Sequence, residues 1–283
     1  MELKANCKIN LGLRVLGRRA DGFHNIETVM YPVRGLYDTV RAEASSSGNR
    51  LIETGIQSGC PPEKNICMRA LELLQSRYDI GGATVTLHKT VPTGAGLGGG
   101  SSDAVATLRA LDGEFALGLS DDTLAELGAE LGSDVPFFVR NTPQLATGRG
   151  EILTPINIDL AGLWLAIVKP PVAVSTAEAY AGVTPHTEGM PLAEVLRHDI
   201  SEWKELLIND FEVSVFARHP VLAQLKRQLY DSGAIYAAMS GSGSALFGIF
   251  AHRPTLAPDL APTLFLHTEE IRAYLDFSTE AIF

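Results

Sequence analysis

The run Pro92-Thr93-Gly94-Ala95-Gly96-Leu97-Gly98-Gly99-Gly100-Ser101-Ser102 carries the clearest chemical signal in the chain. Glycine takes positive φ at no steric cost and lets backbone come close to a ligand. Before the run, Ala83, Val85 and Leu87 alternate with Thr84, Thr86 and His88, which predicts a strand; after it, Ala104, Val105, Leu108 and Leu111 recur at helical spacing. A glycine loop that opens a helix presents unpaired N–H groups, with the positive end of the macrodipole behind them. That is an anion site, and phosphate is the usual anion. Ser101 and Ser102 stand where a hydroxyl caps the helix, binds a phosphate oxygen or holds a metal. A flexible linker has no need of a strand on one side and a capped helix on the other.

Three familiar phosphate loops do not fit. Gly94-x-Gly96-x-x-Gly99 matches the dinucleotide fingerprint, but a second parallel strand ending in an acid should follow about 20 residues on. Glu114 lies instead between two helical patterns. Gly94 and Gly99 have Walker spacing, yet Gly100 stands where that motif requires lysine. A protein-kinase glycine loop joins two strands, not a strand and a helix.

The elements that must hold this loop are legible in outline. The chain has 283 residues, 46% hydrophobic and 20% charged, which is globular composition with room for two cores. Cys7 to Val15 alternates, with Lys8, Asn10 and Arg14 on the polar side of an expected half-buried strand. Arg18 to His24 is turn-rich. Thr39–Ala44 and Arg50–Thr54 flank a Ser/Gly/Asn turn and read as a hairpin. Ile66, Ala70, Leu73 and Leu74 predict a helix. Ser120 is the expected N-cap of another, with Asp121 and Asp122 in its first turn and Leu124, Leu127 and Leu131 continuing it. Strands dominate the first half and recur in the second without regular alternation with helices. The reading is α+β with two domains, residues 1–154 and 155–283, divided near Thr154-Pro155 because a fresh apolar strand begins at Leu163.

Charge and cysteine content narrow the partners. A net charge of -10 argues against nucleic acid and anionic membranes as partners, while leaving room for a local basic phosphate pocket. Cys7, Cys60 and Cys67 lack zinc or redox spacing and suggest free thiols in a reducing compartment. No signal-peptide pattern and no apolar run of about 20 residues is present, so a cytoplasmic protein acting on a small molecule is expected. The composition is equally compatible with a monomer or a homodimer.

The glycine loop resembles the Pro-x-Gly-x-Gly-Leu-Gly-x-Ser-Ser motif of the GHMP kinase superfamily, which includes galactokinase, homoserine kinase, mevalonate kinase and phosphomevalonate kinase. The additional glycine in Gly-Leu-Gly-Gly-Gly-Ser-Ser is similar to the branch that phosphorylates a cytidine diphosphate-linked methylerythritol in non-mevalonate isoprenoid synthesis. Three further segments resemble that branch, in order along nearly the whole chain. They are Lys8-Ile9-Asn10-Leu11 followed by Arg18 to His24, then Leu131-Gly132-Ser133-Asp134-Val135-Pro136, then Ser240-Gly241-Ser242-Gly243-Ser244. Phe23 replaces a frequent tyrosine, and Ser240 and Ser242 replace frequent threonines. The resemblance implies an active site in the cleft between two domains, ATP on the glycine loop, Mg²⁺ as cofactor, and direct in-line transfer to the 2-hydroxyl of the substrate.

It also implies roles for particular residues. Asp134, otherwise a turn or capping residue, takes the proton from the substrate hydroxyl or holds that hydroxyl in line. Lys8, otherwise an exposed strand residue, pairs with Asp134 and the transferring phosphoryl group. Phe23 and His24 read the cytosine, with Tyr180 as the opposite stacking face or as core packing. Asn10 is a candidate substrate contact. Lys89 touches a phosphate or is an exposed strand-end lysine, and Asn65 lies toward the adenine. Gly241 and Gly243 bring backbone to the substrate diphosphate or the glycine loop, or simply form a tight hairpin. No protein ligand of the metal is assigned. A nucleobase pocket has no use in a homoserine kinase, and Lys8 together with Asp134 argues against a non-catalytic nucleotide-binding protein.

Overall fold

The computed structural model describes residues 1–256 and 265–273. The first half is built on long antiparallel strands, β1 (Glu2–Arg18) and β2 (His24–Ala44). Then come β3 (Arg50–Gly55), α1 (Ile66–Arg77), β4 (Ala83–Lys89), α2 (Gly99–Phe115), α3 (Asp121–Leu131), α4 (Val135–Arg140), β5 (Gln144–Thr147) and β6 (Ile152–Pro155). These strands form one six-stranded sheet in the order β3-β4-β2-β5-β6, with β1 paired to β2. The second half holds β7 (Trp164–Lys169), α5 (Thr176–Ala181), α6 (Leu192–Val195), α7 (Trp203–Leu206), α8 (Phe211–Arg218), α9 (Pro220–Asp231), β8 (Tyr236–Met239), β9 (Leu246–Phe250) and β10 (Phe265–Glu270). Its four strands form an antiparallel sheet ordered β10-β7-β9-β8.

The expected hairpin is corrected. Thr39–Ala44 and Arg50–Gly55 do not pair with each other, because β4 lies between them. It runs antiparallel to β2, with Thr39 opposite His88, and parallel to β3, with Arg50 opposite Thr84. The serine turn therefore crosses the end of β4, where Ser45 N–H donates to Gly82 O and Ala83 N–H to the Asn49 side chain. A central strand with both edges paired satisfies more backbone groups than an isolated two-stranded hairpin. Other local expectations match what is seen: the Ser120 hydroxyl caps α3 by accepting the Thr123 N–H at 3.1 Å.

A second correction concerns β1. It is buried on both faces from Ala5 to Val15, not half-exposed. Cys7, Ile9 and Leu11 enter a hydrophobic cluster shared with Leu165, Ile167, Tyr236 and Phe247 of the second sheet. Lys8 and Asn10 face inward on the opposite side, and Arg14 is buried against Glu27 at 2.9 Å. A separate cluster packs α1 to α4 on the first sheet. At its centre α2 buries residues on nearly every side, as a helix enclosed by neighbours must.

Candidate active site

The glycine loop leaves β4 and becomes α2 at Gly98, whose left-handed backbone (φ +69°) sits at the N-cap position without a side-chain cap. The first-turn N–H groups are thus not consumed by a capping hydroxyl. Ala95 and Leu97 anchor the loop in the core, while Thr93, Gly94 and Gly100 stay exposed. Pro92, Gly96 and Ser101 are half-buried, and Gly99 and Ser102 are buried in the first turn of α2. Gly96, at φ +75°, is required by contact as well as conformation: a Cβ there would lie 2.0 Å from Ser240 O.

That contact belongs to a wider dock. The Ser240 hydroxyl donates to Gly96 O at 2.9 Å and accepts the Asn10 N–H at 3.2 Å, and Ala245 N–H donates to Ala95 O at 3.1 Å. Gly241 packs beside Asn10 and Gly96, and Gly243 beside Met239. Asn209, which sequence reasoning missed, holds this turn from behind by donating to Met239 O and Gly241 O at 2.8 and 2.9 Å. Its local signal is faint: an Asn-Asp pair just ahead of the helical run of α8.

Lys8 lies directly under the loop. Its N–H donates to Leu97 O, and its stem fills the space beside Gly98. Its ammonium donates to Asn10 Oδ1 at 2.5 Å and Gly96 O at 2.9 Å, and lies 3.7 Å from Asp134 Oδ2. Burial pulls the Lys8 pKa below the ordinary lysine value, while the Asp134 carboxylate opposes that shift. Asn10 is held in turn by donating to Thr28 Oγ1 at 3.0 Å. Asp134 was expected in a loop; it occupies the N-cap position of α4, with no side-chain capping bond. A carboxylate not spent on its own helix remains available to a ligand.

Tyr180 lies near Asp134 and brings His24 and Phe211 beside this centre. His24 and Tyr180 stack face to face, with ring centroids 4.8 Å apart and planes 15° from parallel, and Phe211 meets Tyr180 edge-on. Burial raises the Tyr180 pKa, and the nearby Asp134 carboxylate adds to the rise. Phe23 is 55% exposed, with the Arg149 guanidinium 5.1 Å above its ring. Two further candidates for nucleotide contact are engaged within the protein. Asn65 caps α1 by accepting the Cys67 N–H at 2.9 Å and donates to Glu53 at 3.2 Å. Lys89 is buried rather than exposed, with its ammonium between Asp38 and Asp103. Among the described residues, no group of three or more His, Cys, Asp or Glu side chains could hold a metal ion, and no helix is long and apolar enough to cross a membrane.

The arrangement joins a helix start with uncapped N–H groups to a lysine–carboxylate pair, features that phosphoryl transfer requires. Residues 65–142 match the GHMP kinases N terminal domain, and residues 192–261 match the GHMP kinases C terminal domain. The chain is 47% identical to the 4-diphosphocytidyl-2-C-methyl-D-erythritol kinase of Parabacteroides distasonis, covering 88% of this chain and 91% of that one.

The chain belongs to the GHMP kinase family.

The kinase of the same name from Porphyromonas gingivalis is 48% identical, covering 89% of this chain and 92% of that one. A crystal structure of 4-(cytidine 5'-diphospho)-2C-methyl-D-erythritol kinase superposes with a TM-score of 0.74 at 34% identity, over 88% of this GHMP kinase and 90% of that chain. The homoserine kinase of Cytophaga hutchinsonii, at 18% identity and TM-score 0.64 over 95% of each chain, shares the fold. The chain is thus a small-molecule kinase, with the mixed α and β architecture of its family, and the family implies ATP as phosphoryl donor.

Proposed function

We propose that this GHMP kinase transfers the γ-phosphoryl group of ATP to the 2-hydroxyl of 4-diphosphocytidyl-2-C-methyl-D-erythritol, giving the 2-phosphate and ADP in non-mevalonate isoprenoid synthesis. The observation that carries the reading is Lys8, whose ammonium bonds Gly96 O of the glycine loop at 2.9 Å and lies 3.7 Å from Asp134. The relatives bearing that enzyme's name support the choice of substrate.

In this reading the loop from Pro92 to Ser102 receives the ATP phosphates through backbone N–H groups. Asp134 takes the proton from the substrate hydroxyl, or holds that hydroxyl in line with the γ-phosphate. Lys8 keeps the carboxylate ionised and offsets charge on the moving phosphoryl group. Asn10, bonded to Lys8, and the Gly241–Gly243 turn border the same space and would meet the substrate. Phe23 and Tyr180 offer faces for the cytosine. With His24 and Tyr180 in direct contact, the base would take the place of the imidazole against Tyr180, leaving His24 to hydrogen-bond its edge. A division close to residues 154 and 155 is supported by the change of sheet between Pro155, the last residue of β6, and Trp164, the first of β7.

Mg²⁺ fits the donors present. The Ser101 and Ser102 hydroxyls are hard oxygen donors at the start of α2, suited to an ion that keeps several waters and rides on substrate phosphates. When bound, it would neutralise charge on the phosphate oxygens. The test is ADP release from Mg·ATP with the cytidyl substrate, homoserine and mevalonate offered in parallel. Turnover of the cytidyl substrate, lost in Asp134→Asn, is expected; turnover of either other acceptor in its place would overturn the assignment.

A further inference from the structure

Behind the glycine loop lies a buried group of charges that the proposed chemistry does not use. Lys89 ends β4, three residues before Pro92, and Asp103 lies on α2 just past Ser102. The Lys89 ammonium bonds Asp103 Oδ2 at 2.7 Å and also bonds Asp38 Oδ2. The other Asp38 oxygen accepts the N–H groups of Thr90 and Val91 at 2.6 and 2.8 Å, and the Thr90 hydroxyl donates to Tyr37 O. The two stems of the loop are therefore tied to each other by Lys89 and Asp103, and the incoming stem is pinned to β2 by Asp38. Gly99 lets Val91 lie against the first turn of α2, where a Cβ would come within 2.9 Å of its Cγ1.

We propose that Asp38, Lys89 and Asp103 are positioning residues that hold the glycine loop in its phosphate-accepting shape, and that Lys89 serves ATP by this route instead of by touching a phosphate. This rests on the reading of the loop as the nucleotide site. Three things favour a positioning role over simple stabilisation. A buried ion group is a poor source of stability, since well-packed apolar replacements often serve as well. Asp103 Oδ1 is buried without a hydrogen-bond partner, a cost with no return in stability. Moreover, every bond of the group ends on residues within, flanking or facing the two stems of the loop. Two carboxyls share one ammonium, and burial raises the Asp103 pKa above the ordinary carboxylate range. Cys67 of α1 also borders Asp103; burial pushes its thiol up, and it adds no charge.

The experiment compares Lys89→Met, Asp103→Asn, Asp103→Leu and the double variant Lys89→Met/Asp103→Leu. Each is examined by thermal unfolding, by ADP affinity in calorimetry, by hydrogen exchange of the 94–102 amides, and by KM and kcat. Lys89→Met is expected to weaken ADP binding about tenfold or more, raise KM for ATP in parallel, and speed exchange in the loop. The KM for the phosphoryl acceptor should stay within about twofold. Asp103→Asn keeps an acceptor for Lys89 and should remain close to wild type, whereas Asp103→Leu should not. The double variant should recover Tm without recovering ADP affinity. Loop exchange and ADP affinity at wild-type values in Lys89→Met or Asp103→Leu would overturn the proposal. So would ADP affinity that returns together with Tm in the double variant. If Lys89→Met does not fold, the contrast between Asp103→Asn and Asp103→Leu decides. ADP binding and exchange need no turnover, so a wrong acceptor assignment would leave this test intact.

Discussion

Lys8 and Asp134 approach to 3.7 Å across a boundary in solvent exposure: the lysine side chain is 4% exposed and the aspartate 36%. One partner is fixed, enclosed by Asn10, Gly96 and the stem space beside Gly98, and the other opens toward solvent. A buried cation with a half-open anion leaves the free side of the carboxylate for a hydroxyl. Asp134→Asn keeps the volume and removes the base. Loss of a general base typically costs about 10²–10⁴-fold in rate, so kcat should fall within that range. KM for ATP should change little, since Asp134 stands off the loop. Steady-state kinetics at saturating acceptor, with a thermal unfolding control, would check this; unchanged kcat would remove Asp134 from the chemistry.

Lys8 supplies a prediction in pH. Burial lowers its pKa from 10.5 in the folded state, so the native protein sheds this proton at lower pH than the unfolded chain does. Between the folded and unfolded values the unfolded state binds more protons, and stability therefore rises with pH in that window. Activity should run the other way, falling as the ammonium deprotonates beside the phosphoryl group. Denaturant unfolding and kcat/KM, both followed from pH 7 to about 10.5, should diverge in wild type. Lys8→Met should lose the stability slope along with activity. In Asp134→Asn the stability rise should begin at lower pH, because the carboxylate that opposes the shift is gone. Parallel changes in stability and activity would contradict the assignment.

How much of this was legible in the sequence follows from distance along the chain. The glycine loop, the start of α2 and the Ser120 cap depend on neighbours within a few residues, and periodicity with glycine placement revealed them. The true neighbour of β3 did not emerge, because β4 begins 33 residues after Arg50 and inserts between strands that local pattern would pair. Alternation along β1 marked Lys8 and Asn10 as polar-facing but not as buried, because what covers them is the glycine loop and the Ser240 turn, up to 230 residues away. Asp38 and Lys89 are 51 residues apart, and each alone looks like an ordinary surface charge. Tyr180 could be read from the sequence only as a candidate for the opposite face or as core packing, because its stacking on His24 joins residues 156 positions apart.

Gly96 and Gly98 share a backbone conformation but not a neighbourhood, and their alanine variants should differ. Left-handed backbone at a non-glycine residue costs about 1–3 kcal/mol by itself. At Gly96 the added Cβ also meets the backbone oxygen of Ser240 at 2.0 Å, so the turn docked from the second sheet must move. At Gly98 the neighbours are side-chain atoms, Phe138 Cζ at 2.9 Å and the Lys8 stem at 3.1 Å, so a shift of a few tenths of an ångström relieves the contact without moving backbone. Gly96→Ala should therefore exceed that range and raise KM for ATP, while Gly98→Ala should stay within it. Urea unfolding of both, with KM for ATP, checks the ordering; equal losses would mean the Ser240 dock is not rigid.

The aromatic residues give the prediction that separates substrate recognition from chemistry. Phe23 is largely exposed and its ring lies under the Arg149 guanidinium, so Phe23→Ala should leave Tm unchanged. Tyr180 packs against both His24 and Phe211, so Tyr180→Ala should lower Tm as well as affinity. Base–aromatic stacking is worth about 1–3 kcal/mol per base, which corresponds to about 5- to 150-fold in binding. KM for the cytidyl substrate should rise by that order in each variant, with KM for ATP unaffected. Phe23→Tyr should retain wild-type affinity, since the ring face is kept. A truncated acceptor lacking the base should be used equally poorly by wild type and both alanine variants, because the contact they lack is one it cannot make. If Phe23→Ala and Tyr180→Ala instead raised KM for ATP and spared the cytidyl substrate, these rings would belong to the nucleotide donor and the acceptor pocket would have to lie elsewhere.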